Sequence, residues 1–308
     1  MPRAAQTARA AAPRTVRALI RWAAGRFRRA RLHYGHGTGN ARDEAAWLVG
    51  HVAGFAPDAL AAHLDEPLAA ATVETVRALT EQRIQTRQPL AYLLHEAWFA
   101  GLRFYVDARV IVPRSLIAEF IEERFRPWVG RVRRVLDLCT GSGCMAVALA
   151  RAFPAARVDA SDISAAALEV ARINVEHHGL SERIQLIQSD LFSALPGERY
   201  DLIVTNPPYV AAAEMETLPE EYRHEPELAL VSGASGLDAV TRILAAAPAH
   251  LHPDGILVAE VGNSCAALQE TFPDLPFIWL STASGDDSVF LLTAEEWNQR
   301  RTIFRDNT

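Results

Sequence analysis

Asn206-Pro207-Pro208-Tyr209 follows directly on the run Asp201-Leu202-Ile203-Val204-Thr205. That run reads as a buried parallel strand, so the tetrapeptide falls at the strand's carboxyl end, where open α/β sheets hold their ligands. Pro207 and Pro208 stiffen the backbone and remove two N–H donors, while their carbonyls stay free to accept. An asparagine amide and a tyrosine ring on so rigid a turn could hold a small planar group bearing an NH2. Beside a nucleotide-like cofactor, this points to methyl transfer onto a planar nitrogen. Taken singly, Asn206 also fits an Asn-Pro turn that closes a loop, and Tyr209 fits core packing.

A second constellation begins at Val135-Leu136-Asp137-Leu138-Cys139-Thr140-Gly141-Ser142-Gly143-Cys144, which reads as strand, glycine turn, helix. Gly141 and Gly143 let the backbone turn sharply and approach a ligand. The dinucleotide fingerprint is absent, because its third glycine falls on Ala146 and an acid, Asp137, precedes the turn. Such a turn suits a compact zwitterion, with Asp137 holding an ammonium directly or through water. Asp162 follows the next strand, where a carboxylate accepts two ribose hydroxyls. Asp159 competes for that role from inside the strand, and Asp162 alternatively caps the following helix, although Ser164 offers a cap without it. Asp190 follows a third strand and is placed to accept from an adenine N6, with Leu191 and Phe192 flanking the ring. The spacing alone specifies a ribonucleoside with a cationic end. Cys139 reads as a small buried residue, and no metal-ligand spacing is present.

These residues need a scaffold. Strands are expected at 135–139, 157–161, 184–188, 202–205, 256–260, 277–280 and 289–292, with helices at 145–153, 165–177 and 237–250 between them. The order describes a doubly wound α/β sheet of seven strands whose last strand is antiparallel. A helix over 115–125 capped by Ser115 precedes it. Before that, Trp98-Phe99, Gly101 and Leu102–Val106 alternate with period two, as in a β-hairpin. Residues 15–95 carry helical spacing, with one helix starting after Asn40 and another at Pro57. The organisation expected is an arm over 1–14, a helical unit over 15–95, a hairpin linker over 96–112 and an α/β domain over 113–308.

At 308 residues, half of them hydrophobic, the chain is long enough for one sizeable and one smaller domain. No run approaches the roughly 18 apolar residues that span a bilayer, and three cysteines give no disulfide framework. No membrane role and a reducing cytoplasm are the expectation. The basic residues are all arginine. Residues 1–42 hold ten arginines and no acid against a formal total of −6, leaving the rest near −16. A basic arm on an acidic body steers toward RNA or an anionic surface; an organellar presequence is the competing reading.

Three carboxylates after successive strands, a glycine turn and Asn-Pro-Pro-Tyr together resemble the class I S-adenosylmethionine-dependent methyltransferases. Within that class the chain resembles the protein-glutamine N5-methyltransferase family. The match is carried by His33-Tyr34-Gly35-His36-Gly37-Thr38, His95-Glu96-Ala97-Trp98-Phe99, Val112-Pro113-Arg114-Ser115, Gly233-Ala234-Ser235-Gly236-Leu237-Asp238 and Glu260-Val261-Gly262-Asn263-Ser264. It is similar to the members that modify large-subunit ribosomal protein L-three. It departs from those acting on release factors at Cys139, a glycine there, and at Ser115-Leu116-Ile117.

The resemblance implies S-adenosylmethionine as cofactor, a helical N-terminal domain that recognises the substrate, and an acceptor that is free protein or a ribosome assembly intermediate; the charge of the basic arm, which lies outside the match, adds the expectation of rRNA contact. It implies that the Asn206 side-chain oxygen and the Pro207 carbonyl accept the two amide hydrogens. Tyr209, with Tyr105 or Phe104, would pack on the amide plane, and Arg114 would receive a polar backbone or carboxylate. Pro208 belongs to the same substrate turn, and Glu260 could support it. A DNA adenine methyltransferase shares the turn but needs a sizeable DNA-reading domain, and a non-catalytic assembly factor would not need the intact acids.

Overall fold

The computed structural model describes residues 14–283, 285 and 287–299. Nearly all of the arm expected over 1–14 lies outside the described residues. The chain divides into two compact units at Leu94/His95, and the hairpin expected as a linker belongs to the second.

In the first unit, α1 (Val16–Arg29), α2 (Ala41–Ala53), α3 (Ala70–Thr86) and α4 (Leu90–Leu94) follow one another. Thr15 caps α1 through the Ala18 N–H, and Asn40 caps α2 through the N–H groups of Arg42 and Asp43. Leu19, Ala23, Phe27, Ala45, Leu48 and Val76 meet in one apolar core. Inside it, Glu44 accepts from the Arg83 Nε at 2.9 Å, and Arg83 also donates to the His33 carbonyl. Pairing with these further bonds is what makes a buried ion pair tolerable. Pro57 starts no α-helix; a turn and the 3₁₀ segment Leu60–His63 stand there.

The second unit opens on the hairpin β1 (Ala97–Phe99) and β2 (Leu102–Phe104), then α5 (Ile117–Glu122). The sheet follows as β3 (Arg134–Leu138), α6 (Cys144–Ala152), β4 (Arg157–Asp162), α7 (Ala165–His177), β5 (Ile184–Gln188) and β6 (Tyr200–Thr205). It ends with α8 (Asp238–His250), β7 (Leu251–Glu260), α9 (Cys265–Thr271), β8 (Ile278–Leu280), β9 (Val289–Thr293) and α10 (Ala294–Gln299). The strand order is β5-β4-β3-β6-β7-β9-β8; the first five pair in parallel, and β9 runs antiparallel to both its neighbours. The fold is therefore a doubly wound α/β sheet.

Period-two alternation sorts the side chains. Val135, Leu202, Val258 and Leu291 enter the core with α6, whereas Leu136, Ile203, Leu257 and Leu292 enter the core with α8 and Trp297. Both faces are covered, so the strands read as continuous apolar runs.

The helix expected over 115–125 is shorter and starts later. The Ser115 hydroxyl accepts from the Ile117 N–H at 3.2 Å but donates to Glu260 at 2.6 Å, and Leu116 occupies the cap position. Cys139 lies beyond its expected strand, with a left-handed φ of 63° that begins the turn. β6 and β7 start earlier than their apolar runs.

Candidate functional site

Strand order reverses at the β3/β6 boundary, because the chain winds outward from β3 in one direction and from β6 in the other. Leu138 stands opposite Thr205, whose hydroxyl donates to the Leu138 carbonyl at 2.8 Å. The residues that follow, Cys139 and Asn206, thus emerge side by side at the switch point, where such sheets open a crevice. A cavity of about 280 Å³ lies there, bordered by Cys139, Gly141, Asp162, Asp190, Leu191, Asn206 and Pro208 among others.

Asp162 accepts from the Gly141 N–H and the Ser164 N–H, each at 2.9 Å. Ser164, not Asp162, caps α7 through the Ala167 N–H at 3.2 Å. Burial pushes the Asp162 carboxyl above the usual range. Asp159 is spent elsewhere, accepting from the Tyr200 hydroxyl at 2.9 Å and from Arg134 at 2.8 Å. Gly141 (φ 54°) has open space where a Cβ would stand, which leaves the backbone approachable from the cavity. Gly143 does different work. A Cβ there would press on Ala171 of α7 at 3.1 Å, so this glycine lets α6 and α7 pack closely and does not border the cavity.

Asp137 also lies behind the wall. It is wholly buried, and its Oδ2 accepts from the Thr140 hydroxyl at 2.5 Å and the Ala146 N–H at 2.9 Å. Its Oδ1 is buried with no hydrogen-bond partner. Burial raises this carboxyl to about 7 despite the two donors. Ionisation therefore costs more in the folded protein than in the unfolded chain. Stability from this group is complete below the usual carboxylate range and is lost as pH rises through about 7. A cationic ligand group nearby reverses the cost. The expected result is ligand-free thermal stability that falls, and cofactor affinity that strengthens, as pH rises through about 7. In Asp137→Asn both trends flatten, as calorimetry at several pH values will measure.

Asp190 accepts from Arg242 at 2.8 Å, and both border the cavity. Arg242 lies on α8, and the sequence reading missed it because nothing local links it to Asp190. Cys139 is partly buried on the wall; burial drives its thiol well above its ordinary value, which suits a packing residue.

A small recess bordered by Ile111, Arg114, Asn206, Pro207, Tyr209 and Leu230 shares Asn206 with the cavity. The Asn206 Oδ1 is buried and has no hydrogen-bond partner, an acceptor whose desolvation is uncompensated until a donor arrives. The Tyr209 ring rests on Gly262, where an added Cβ would fall 2.5 Å from the ring's Cε2. The Tyr209 carbonyl accepts from the Ser264 hydroxyl at 3.2 Å, and a Cβ at Gly236 would collide with it. Burial pushes the Tyr209 phenol well up, so it is a neutral ring and no base.

The structure places the aromatic residues expected at this recess elsewhere. Tyr105 and Phe104 border neither hollow. The Tyr105 hydroxyl donates to Asp107 at 2.9 Å, its ring stacks on His95 at 5.4 Å, and its N–H donates to Asn174. Phe104 is buried in the core. Their distance follows from the hairpin's own packing, which the alternation pattern does not reveal. Arg114 does border the recess and holds a carboxylate of this chain. Its guanidinium donates twice to Glu225, at 2.6 and 2.7 Å, and lies over the Tyr222 ring. Glu260 accepts from Ser115 and, at 2.8 Å, from the Leu116 N–H.

Two family models match the chain: "PrmC N-terminal domain" over residues 18–94 and "Methyltransferase small domain" over 115–222. The ribosomal protein uL3 glutamine methyltransferase of Neisseria meningitidis serogroup B is 52% identical over 285 residues, covering 92% of this chain and 94% of that protein. The chain belongs to this glutamine methyltransferase family. The Bordetella pertussis member is also 52% identical, over 287 residues, with 92% and 96% covered. Among solved structures, the catalytic domain of hMettl16 in complex with MAT2A 3′UTR hairpin 6 overlays at a TM-score of 0.52 with 16% identity. It covers 75% of this chain and 85% of that one, a likeness of fold alone.

Members of the family are enzymes of the class I methyltransferase type, for which S-adenosylmethionine is the cofactor. The cavity fits that molecule: an approachable glycine turn and a carboxylate at the end of β4 border it, as a cationic nucleoside needs.

Proposed function

We propose that this chain transfers a methyl group from S-adenosylmethionine to the side-chain amide nitrogen, N5, of a glutamine in ribosomal protein uL3. The partnerless Asn206 Oδ1, buried where the recess meets the cavity, is the observation that carries the reading. S-adenosylmethionine supplies an electrophilic methyl carried on a sulfonium. Asp162 binds the ribose, Asp190 the adenine amino group beside Leu191, and Asp137, behind the cavity wall, balances the cationic end.

An amide nitrogen is a poor nucleophile because its lone pair is delocalised into the carbonyl, so orientation is the main device available. The Asn206 Oδ1 and the Pro207 carbonyl accept the two N–H bonds. Tyr209, braced by Gly262, packs on the amide plane while Pro208 keeps the turn rigid. As positive charge grows on the nitrogen, both acceptors bind it more strongly than they bind the ground state.

The helical unit over 15–95 is assigned to recognition of the acceptor protein, free or in a ribosome assembly intermediate. The arginine-rich N-terminal stretch is assigned to rRNA contact during ribosome biogenesis in the cytoplasm. Among the described residues no helix is long and apolar enough to cross a membrane. Incubation with labelled methyl donor and ribosomal particles, release factor or DNA, followed by mass spectrometry, tests the reading. Label on a glutamine of uL3 is the expected result; label on release factor or on adenine overturns it.

A further inference from the structure

Glu225 has no solvent-exposed side-chain surface, and both of its oxygens bind one segment far away in sequence. Its Oε1 accepts from the Val112 N–H at 2.9 Å and from the Arg114 Nη1 at 2.6 Å, and its Oε2 accepts from the Arg114 Nη2 at 2.7 Å. Arg114 also borders the small recess, as does its neighbour Ile111. On the other side of Glu225, Ala229 and Leu230 border the same recess. One carboxylate thus ties together the two stretches that face each other across the hollow beside Asn206.

The stretch 210–239 has further anchors of its own, although Ile111 and Ala229 border the cofactor cavity as well as the recess. The Val210 N–H donates to the Leu230 carbonyl at 2.8 Å, the Ser232 N–H to the Val210 carbonyl at 2.9 Å, and the Ala212 N–H to the Gly233 carbonyl at 2.9 Å. Ser232 Oγ in turn accepts from the Ala239 N–H at the start of α8. None of these bonds involves the Glu225 side chain, whereas the bonds from Val112 and Arg114 do.

We infer that Glu225 is a positioning residue for the acceptor: its two-oxygen clamp on Arg114 and Val112 sets the width of the recess that holds the substrate amide against Asn206. The inference rests on the proposed function, since it presumes that the recess receives an amide. A carboxylate gripping a planar guanidinium in this bidentate way fixes angle as well as distance, which a lysine or an amide cannot reproduce.

The test is steady-state kinetics of Glu225→Gln and Arg114→Lys on the full chain, with cofactor affinity measured by calorimetry. Both variants are expected to raise the acceptor KM about tenfold or more, as for a lost charge-assisted bond, with cofactor Kd within about twofold of wild type. A double variant, Arg114→Met with Glu225→Met, removes the buried charges together and is expected to recover thermal stability but not acceptor KM. Recovery of KM along with stability would make the pair merely structural and overturn the inference. So would an unchanged acceptor KM in the single variants, or a cofactor Kd that rises in step with it. If wild-type protein methylates something other than uL3, the functional reading fails by itself, and the same comparison is made on the acceptor that takes the label.

Discussion

Asn206→Ala is expected to lower kcat for the acceptor by about a hundredfold or more, corresponding to some 2–4 kcal/mol of lost transition-state stabilisation. The size follows from the environment. The Asn206 Oδ1 is buried and unpaired in the ligand-free protein, so its desolvation has already occurred when the amide arrives. Its bond to a nitrogen gaining positive charge forms at little further cost. Because the residue borders the cavity as well as the recess, cofactor Kd is expected to move too, but by less than tenfold. Rapid-quench measurement of the transfer step, with calorimetry for the cofactor, separates the two. Wild-type kcat in this variant removes the assigned role.

Asp162→Ala is expected to raise cofactor Kd about 10- to 100-fold, the range for losing a charge-assisted hydrogen-bond acceptor or two. The side chain does two jobs. Its oxygens hold the Gly141 and Ser164 N–H groups, which fixes the glycine turn against the end of β4. Its place on the cavity wall turns the same carboxylate toward the proposed ribose site. Alanine therefore loosens the turn as well as deleting the ligand contact, and thermal stability is expected to fall. Ser164→Ala, which removes the α7 cap from a residue that also borders the cavity but keeps the Asp162 carboxylate, supplies the comparison: a stability loss of about 1 kcal/mol with a much smaller change in cofactor Kd. Equal Kd values for both variants would assign Asp162 to turn geometry alone.

The turns that border the cavity and the recess were legible because each is local. Asn206-Pro207-Pro208-Tyr209 follows an apolar run, and Asp162 and Asp190 follow others. A strand end is marked by the point where apolar residues give way to turn formers. The same logic misjudged the edges of elements. The Ser115 hydroxyl looked like a helix cap until Glu260, 145 positions away, proved to be its acceptor. Asp137 and Gly143 belong to the recognisable turn, yet they lie behind it, one beneath the Ala146 N–H and one against Ala171. A motif gives the identity of such residues, whereas the direction each one faces depends on how α6 and α7 pack.

From the chain alone come the alternation that builds a two-faced parallel sheet, the acids that end its strands and the prolines that stiffen the turn after β6. Each depends on residues within a few positions of one another, and sterics and periodicity act at that range. The folded molecule alone decides that Gly262 yields space to Tyr209, that Glu225 seizes Arg114, that Arg242 meets Asp190, and that Tyr105 turns to Asp107 instead of the recess. The first three of these join residues tens of positions apart. Strand register and helix packing bring them together, and those are set by the burial of whole faces of the sheet, not by any short run of sequence.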